Sequence, residues 1–395
     1  MNGFCLKKIL ASKASAATEA SSISRLTGIS KEAIEFYLKE EKFPLGDDLE
    51  KLLTFLNISE DELRLKIGSH SYSLLDSFLI APYQDINANT VSNTVEPDFK
   101  TSLGKLYHED CIHLLKTLPD NYFNLIFADP PFNLSKMYPS KINDSLSYNV
   151  YIRWCEQWII ECCRVLKFGG SFFIWNLPKW NFIFASILNE YLSFRNWIVV
   201  DMKYSLPIPN KLYPSHYSLL YFIKGKSPLV FLPDRLEMKI CKNCYREIKD
   251  YGGYKNKMNP KGINLSDVWD DISPVRHAKY KKRKNSNELP IKLLDRIIEM
   301  SSMEGDLIFD PFGGSGTTYI VSELKKRKWI GCEIGPLDVI QDRFKNIDDE
   351  YEYLKQIRSY YNNLFSCKIA KERRKKGMWV PEDFNNKSII QGSLI

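Results

Sequence analysis

The apolar run Leu125-Ile126-Phe127-Ala128 stops abruptly at Asp129-Pro130-Pro131-Phe132, and this wording constrains the fold more than any other in the chain. Consecutive apolar residues without polar alternation predict a strand covered on both faces, as in a parallel sheet. Two prolines then forbid its continuation, because each lacks an N–H and fixes φ. A carboxylate and an aromatic ring are thereby delivered to the carboxyl edge of a sheet, where α/β proteins bind ligands.

A second strand tip of the same kind comes much later. Residues 306–310 end in Asp310 and run into Pro311-Phe312-Gly313-Gly314-Ser315-Gly316-Thr317-Thr318 before a helical stretch. Glycines there let the backbone approach a ligand, and a helix start offers free N–H groups. The next strand, 329–334, carries Glu333 at its tip, the usual place for an acid that binds ribose hydroxyls. No Gly-Lys-Ser/Thr follows the glycines, so a nucleoside triphosphate loop is disfavoured. Asp310 puts negative charge at the loop entrance, which suits a neutral or sulfonium-bearing nucleoside better than a pyrophosphate.

Between these tips the chain alternates strand and helix. Gly104–Tyr107 predicts a short strand ending near Asp110, 111–120 a short helix, and 150–167 an amphipathic helix with Phe168-Gly169-Gly170 as its glycine stop. Residues 171–175 predict the next strand, and 196–204 with 216–225 a pair closing the sheet. The fold class expected is α/β, a mostly parallel sheet with an antiparallel edge, preceded by a small all-α N-terminal domain.

That first domain, residues 1–68, reads as short helices. Ile23 and Leu26 pair at helical spacing before Thr27-Gly28-Ile29-Ser30; 31–40 and 47–56 follow; Ser59 to Glu62 forms a capping box before Leu63 and Leu65. The layout resembles the helix-turn-helix domains of the Cro/repressor group, and a small helical bundle for protein contacts is the plainer alternative. Residues 69–100 read as a polar linker, 101–360 as the main domain, and 361–395 as a basic tail whose charge run reads as a solvated end.

With both tips in view, the main domain resembles the amino-group DNA methyltransferases that use S-adenosylmethionine, a Rossmann-like methyltransferase fold. The Asp129 motif precedes the glycine loop, as in the circularly permuted β class, where a target-recognition region (here 226–285) lies between the halves. The resemblance implies that Asp310, Phe312, Gly314, Ser315, Gly316 and Thr317 hold the cofactor, that Glu333 binds its ribose, and that Asp110 meets its adenine amino group. It also places Asn287-Glu288-Leu289-Pro290 at a cofactor-contacting helix start, in wording that departs from the family's commonest form.

The resemblance further implies that Asp129 and the Pro130 carbonyl accept the two N–H bonds of an exocyclic amino group, that Pro131 rigidifies the corner, and that Phe132 stacks on a flipped base. Asp rather than Ser at the first position leans toward adenine N6 over cytosine N4, which stays open, and a methylated RNA is a further alternative. No Pro-Cys pair occurs, which counts against 5-position cytosine methylation.

The net charge of +7 permits nucleic acid as a partner, and Arg276, Lys279, Lys281, Lys282, Arg283 and Lys284 suit phosphate contacts. The expected partners are double-stranded DNA and a cognate restriction endonuclease acting at the same site; neither monomer nor dimer is specified. A rival class makes the protein a transcriptional regulator acting through 1–68, with an inactive methylase fold. Nine scattered cysteines argue for a reducing cytoplasm, and no apolar run is long enough for a membrane span. Cys241 and Cys244 form one CxxC; a zinc site would need His277 or Cys162 and Cys163 to join it, and no metal is expected.

Overall fold

The computed structural model describes Leu6, Ile9, Leu10 and residues 20–68, 96–134, 145–202, 207–249, 253–272 and 288–384. In chain order its helices and strands begin with α1 (Ala20–Thr27), α2 (Lys31–Lys39), α3 (Gly46–Leu56) and α4 (Glu60–Ile67). The sheet starts with β1 (Phe99–Lys100) and β2 (Gly104–Tyr107), then α5 (Cys111–Thr117), β3 (Phe123–Ala128), α6 (Tyr148–Val165), β4 (Leu166–Asn176) and α7 (Pro178–Tyr191). β5 (Ser193–Asp201), β6 (His216–Ile223) and β7 (Val268–Trp269) follow, then α8 (Ile291–Ser301), β8 (Leu307–Asp310), α9 (Thr317–Leu324) and β9 (Lys328–Cys332). The chain closes with α10 (Asp338–Lys345), α11 (Ile347–Arg358) and α12 (Cys367–Lys375).

The strands form one sheet in the order β1-β2-β9-β8-β3-β4-β6-β5-β7. β2, β9, β8, β3 and β4 run parallel, while β6 is antiparallel to both β4 and β5. The expected mostly parallel sheet with an antiparallel side is therefore what forms. β3 pairs Ile126 with Phe309 of β8, so two strands far apart in sequence end side by side.

β3 is covered on both faces. Ile126 and Ala128 point into a core shared with α5, α6, α7 and the N-terminal helices, while Leu125 and Phe127 point into a second core with α8 and α9. That double burial is why the run lacks polar alternation.

Several expectations change. Leu26 and Leu65 are 58% and 57% exposed, so the buried faces of their helices rest on Ile23 and Leu63, with Ala20 and Ile67 partly buried against the same core. The Phe168-Gly169-Gly170 stop is not a helix cap: α6 ends at Val165 and β4 begins at once. The exposed carbonyls at its end, Cys163 and Arg164, are taken instead by the buried Lys224 ammonium at 3.0 and 3.2 Å, so no glycine turn is needed. The sheet begins at Phe99, inside the expected linker; residues 69–95 lie outside the described residues.

The expected solvated tail also packs. Arg373, from the basic run, is fully buried, donating to the Tyr245 and Trp379 carbonyls and lying over the Phe365 and Trp379 rings. Its desolvation is offset by those acceptors and by Glu247. Residues 361–380 thus brace the irregular region around Met238 rather than trail into water.

The N-terminal helices are built onto the sheet. Phe36 and Tyr37 of α2 meet the Phe168 ring, at 5.8 and 6.4 Å between centroids. The buried Arg64 guanidinium reaches Glu190 and the Tyr191 hydroxyl at the end of α7, and Phe43 donates its amide to the Glu190 carbonyl.

Candidate active site

Because β3 and β8 are neighbours in parallel register, Asp129 and Asp310 emerge at the same sheet edge. Burial first, and then the negative charge of Asp310, hold the Asp129 carboxyl well above the usual carboxylate range. Burial likewise pushes Asp310 up to about 7, although its Oδ1 accepts the Phe312 N–H at 3.0 Å. Two desolvated acids side by side make a place that welcomes a cation.

The turn after Asp129 is held from behind. The Tyr151 hydroxyl of α6 donates to the Pro131 carbonyl at 2.5 Å, and the Trp180 indole N–H of α7 donates to the Phe132 carbonyl at 2.7 Å. Asn133, at φ +50, exchanges two hydrogen bonds with the Leu146 backbone. The Phe132 ring is half-buried and lies 6.1 Å from Tyr217, which in turn packs on Trp175 at 4.7 Å.

The glycine loop folds over the end of β9. Gly313 donates to the Cys332 carbonyl at 2.9 Å, Gly314 to Glu333 Oε2 at 2.6 Å, and Gly335 to Glu333 Oε1 at 2.7 Å. A Cβ on Gly313 would sit 2.9 Å from the Tyr319 hydroxyl and 3.1 Å from the Cys332 carbonyl, so only glycine fits. Gly316 takes φ +73 to start α9. Phe312 packs edge-on to Trp158 at 5.1 Å, which fixes the loop's first residue to α6.

Ser315 and Thr317 are buried, and their hydroxyls turn inward: they lie 3.3 Å apart, and both face Arg343. Only their backbones are therefore turned to the loop's open side. Thr317 also donates to the Leu289 carbonyl at 3.3 Å, which lays residues 288–290 against the loop; Asn287 lies outside the described residues. Asp110 sits at the end of the neighbouring strand and caps α5, Oδ1 accepting from Ile112 and His113 at 2.8 and 3.4 Å. Glu333 is tied to that same strand through its amide, which donates to the Tyr107 carbonyl at 3.0 Å.

Asp129, Asp310, Phe312, Gly314, Glu333 and Asp110 are thus gathered along one edge. The basic residues 276–284 lie outside the described residues. Cys241 and Cys244 form a hairpin turn, Cys241 N–H to the Arg246 carbonyl, and among the described residues no three metal-binding side chains converge. Tyr151, Trp180 and Arg343 escaped the sequence reading. Only the spacing of Ile340 and Arg343 on one helical face hinted that the arginine points inward.

The sequence profile of the N6/N4 DNA methylase family matches residues 123–339. Type II methyltransferase M.BamHI of Bacillus amyloliquefaciens is 48% identical over 379 residues, covering 93% of this chain and 89% of that protein. DNA adenine methyltransferase YhdJ of Escherichia coli (strain K12) is 33% identical over 233 residues, 58% of this chain and 78% of that one. Among solved structures, the PvuII DNA methyltransferase (cytosine-N4-specific) is 21% identical with a TM-score of 0.47, covering 66% of this chain and 95% of its own.

Proposed function

Since this chain belongs to the N6/N4 family of DNA methylases, we propose that it methylates an exocyclic amino group of a base in duplex DNA, with S-adenosylmethionine as donor. The observation that carries this reading is the pairing of β3 with β8, which sets Asp129 beside the glycine loop. The desolvated Asp129–Asp310 pair suits a sulfonium cation, and the loop, closed by Glu333, suits a nucleoside without phosphates. When bound, the cofactor would supply a methyl group to the base nitrogen, whose lone pair would form the N–C bond as the C–S bond breaks, the freed pair staying on sulfur and the surplus N–H proton passing to water.

Glu333 would take the ribose hydroxyls and Asp110 the adenine amino group, with the backbone from Asp310 to Thr317 lining the rest. An exocyclic nitrogen is a poor nucleophile because its lone pair is delocalised into the ring. Asp129 accepts one of its N–H bonds and the Pro130 carbonyl the other, drawing it toward a pyramidal form. Phe132 offers a face for the extruded base. Holding nitrogen and methyl in line is chiefly an orientation effect.

Adenine N6 is the narrower reading, supported by Asp129 as the first residue of the motif. Cytosine N4 presents the same two N–H bonds. The protein serves as the modifying partner of a restriction endonuclease. Purified protein, duplex DNA and labelled S-adenosylmethionine test this, with nucleoside analysis of the product. Label in N6-methyladenine or N4-methylcytosine, abolished by Asp129→Ala, is expected and names the base. Label in 5-methylcytosine, in RNA alone, or undiminished by Asp129→Ala would overturn the reading.

A further inference from the structure

Three carbonyls follow Asp129 in the tetrapeptide, and two are already engaged. Tyr151 holds that of Pro131 and Trp180 that of Phe132, while the Pro130 carbonyl, among the described residues, receives no donor. Both donors are buried, 1% and 6% exposed, and their rings pack against each other at 4.6 Å between centroids. They come from different helices, α6 and α7, so the turn is gripped from two elements. Trp180 stands in the first turn of α7, two residues after Pro178 sets that turn's direction.

Backbone geometry makes the grip matter. The Pro131 ring fixes φ there, so only ψ of Pro131 relates the 130–131 peptide plane to the 131–132 plane. Tyr151 fixes the second plane by its oxygen, and Trp180 fixes the next. The remaining carbonyl then has a narrow range of directions, beside Asp129.

Resting on the reading of Asp129 and Pro130 given above, we propose that Tyr151 and Trp180 are positioning residues for methyl transfer. They act through the tetrapeptide, reserving the Pro130 carbonyl as the one acceptor presented with the carboxylate to the base amino group. Neither touches the base. Without them the carbonyls of the turn are free to rotate, and the amino nitrogen loses its second, oriented acceptor while its stacking surface and the cofactor loop stay in place.

Tyr151→Phe and Trp180→Phe each remove one donor and keep an aromatic ring. The assay is single-turnover methyl transfer to unmethylated genomic DNA, alongside cofactor affinity, KM for DNA and thermal unfolding. The expected result is a transfer rate lowered roughly 10- to 100-fold in each variant, as for a small misplacement of reacting groups. Cofactor affinity and KM stay within about twofold, and the double variant loses less than the product of the single losses, since both act on one turn. Transfer at the wild-type rate, or a rate that falls only in step with both affinities, would overturn the proposal. Should Trp180→Phe fail to fold, Tyr151→Phe, which lacks a single oxygen atom, carries the test alone. A wild-type protein that labels no DNA refutes the methylation reading itself, a result distinct from variants that match an active wild type.

Discussion

Gly314 gives its backbone N–H to one oxygen of Glu333 at 2.6 Å, and Gly335 gives its own to the other at 2.7 Å. One side chain thereby ties the glycine loop after β8 to the turn after β9, and each oxygen keeps a further acceptor site for a hydroxyl. Glu333→Gln would turn an NH2 group toward one of these backbone N–H groups. S-adenosylmethionine affinity is expected to fall by about 1.5–3 kcal/mol, roughly 10- to 100-fold, as for a lost charge-assisted hydrogen bond. Calorimetric titration of both proteins checks this; an unchanged affinity would remove Glu333 from the cofactor site.

Asp310 makes the ligand-free protein pH-sensitive. Its carboxyl, pushed up to about 7 chiefly by burial, has an ordinary value of 3.8 when unfolded. The folded state therefore binds the proton more tightly, and a folding penalty grows as pH rises from 3.8 to about 7, then stays constant. Its full size is of the order of 4 kcal/mol. Asp310→Asn should be more stable than wild type at pH 8 in denaturant titrations, with the advantage gone near pH 4. A bound sulfonium relieves the same penalty, so S-adenosylmethionine affinity should rise with pH up to about 7, with proton release measurable by calorimetry in buffers of different ionisation heat.

Arg343 supports the glycine loop from beneath. Its guanidinium donates to Thr317 Oγ1 at 2.8 Å and to the Ser315 carbonyl at 3.1 Å, and its Nε donates to the buried Glu350 at 3.0 Å. Arg343→Met takes the guanidinium away from that buried carboxylate and should cost about 3–5 kcal/mol in chemical unfolding. Adding Glu350→Met should restore most of the stability, because the buried carboxylate charge rather than the missing arginine carries the cost. A double variant as unstable as the single one would refute this.

What was legible in the sequence was the edge of the sheet. Leu125–Asp129, residues 306–310 and Glu333 are strand ends whose apolar runs and terminal acids are local properties, and all three lie where the alternating pattern puts them. The supports were not legible, because each depends on a contact across the fold. Trp180 lies 48 residues from the carbonyl it holds, in a helix that the strand pattern around it leaves unassigned. Arg373 sits in a basic run read as a solvated end, and only tertiary packing shows that its guanidinium, like that of Arg343, is enclosed. The glycine pair after α6 misled for a related reason: the ammonium that caps this helix comes from Lys224, at the end of β6.

The N-terminal helices follow the order of a DNA-reading unit, while their contacts tie them to α7 and to the sheet. Arg64 is 3% exposed and bonds Glu60 at 2.8 Å, Glu190 at 3.1 Å and the Tyr191 hydroxyl at 3.3 Å, with its guanidinium 4.0 Å from the Phe43 ring centroid. Arg64→Ala removes a buried guanidinium from Glu60, Glu190 and the Tyr191 hydroxyl and should cost about 1.5–3 kcal/mol in unfolding. DNA affinity should be untouched, since the side chain faces α7 and not solvent. Lys31 and Lys39 are the exposed cations of α2, and each already lies within ion-pair distance of Glu35. Replacing both with Gln should leave the slope of log K against log salt for DNA unchanged. If α2 instead tracked phosphates, each lost contact would lower that slope by about 1. A lowered slope with wild-type stability would restore the groove-reading interpretation; an unchanged slope, with Arg64→Ala destabilised, makes these helices part of the scaffold that holds α7, and with it Trp180, in place.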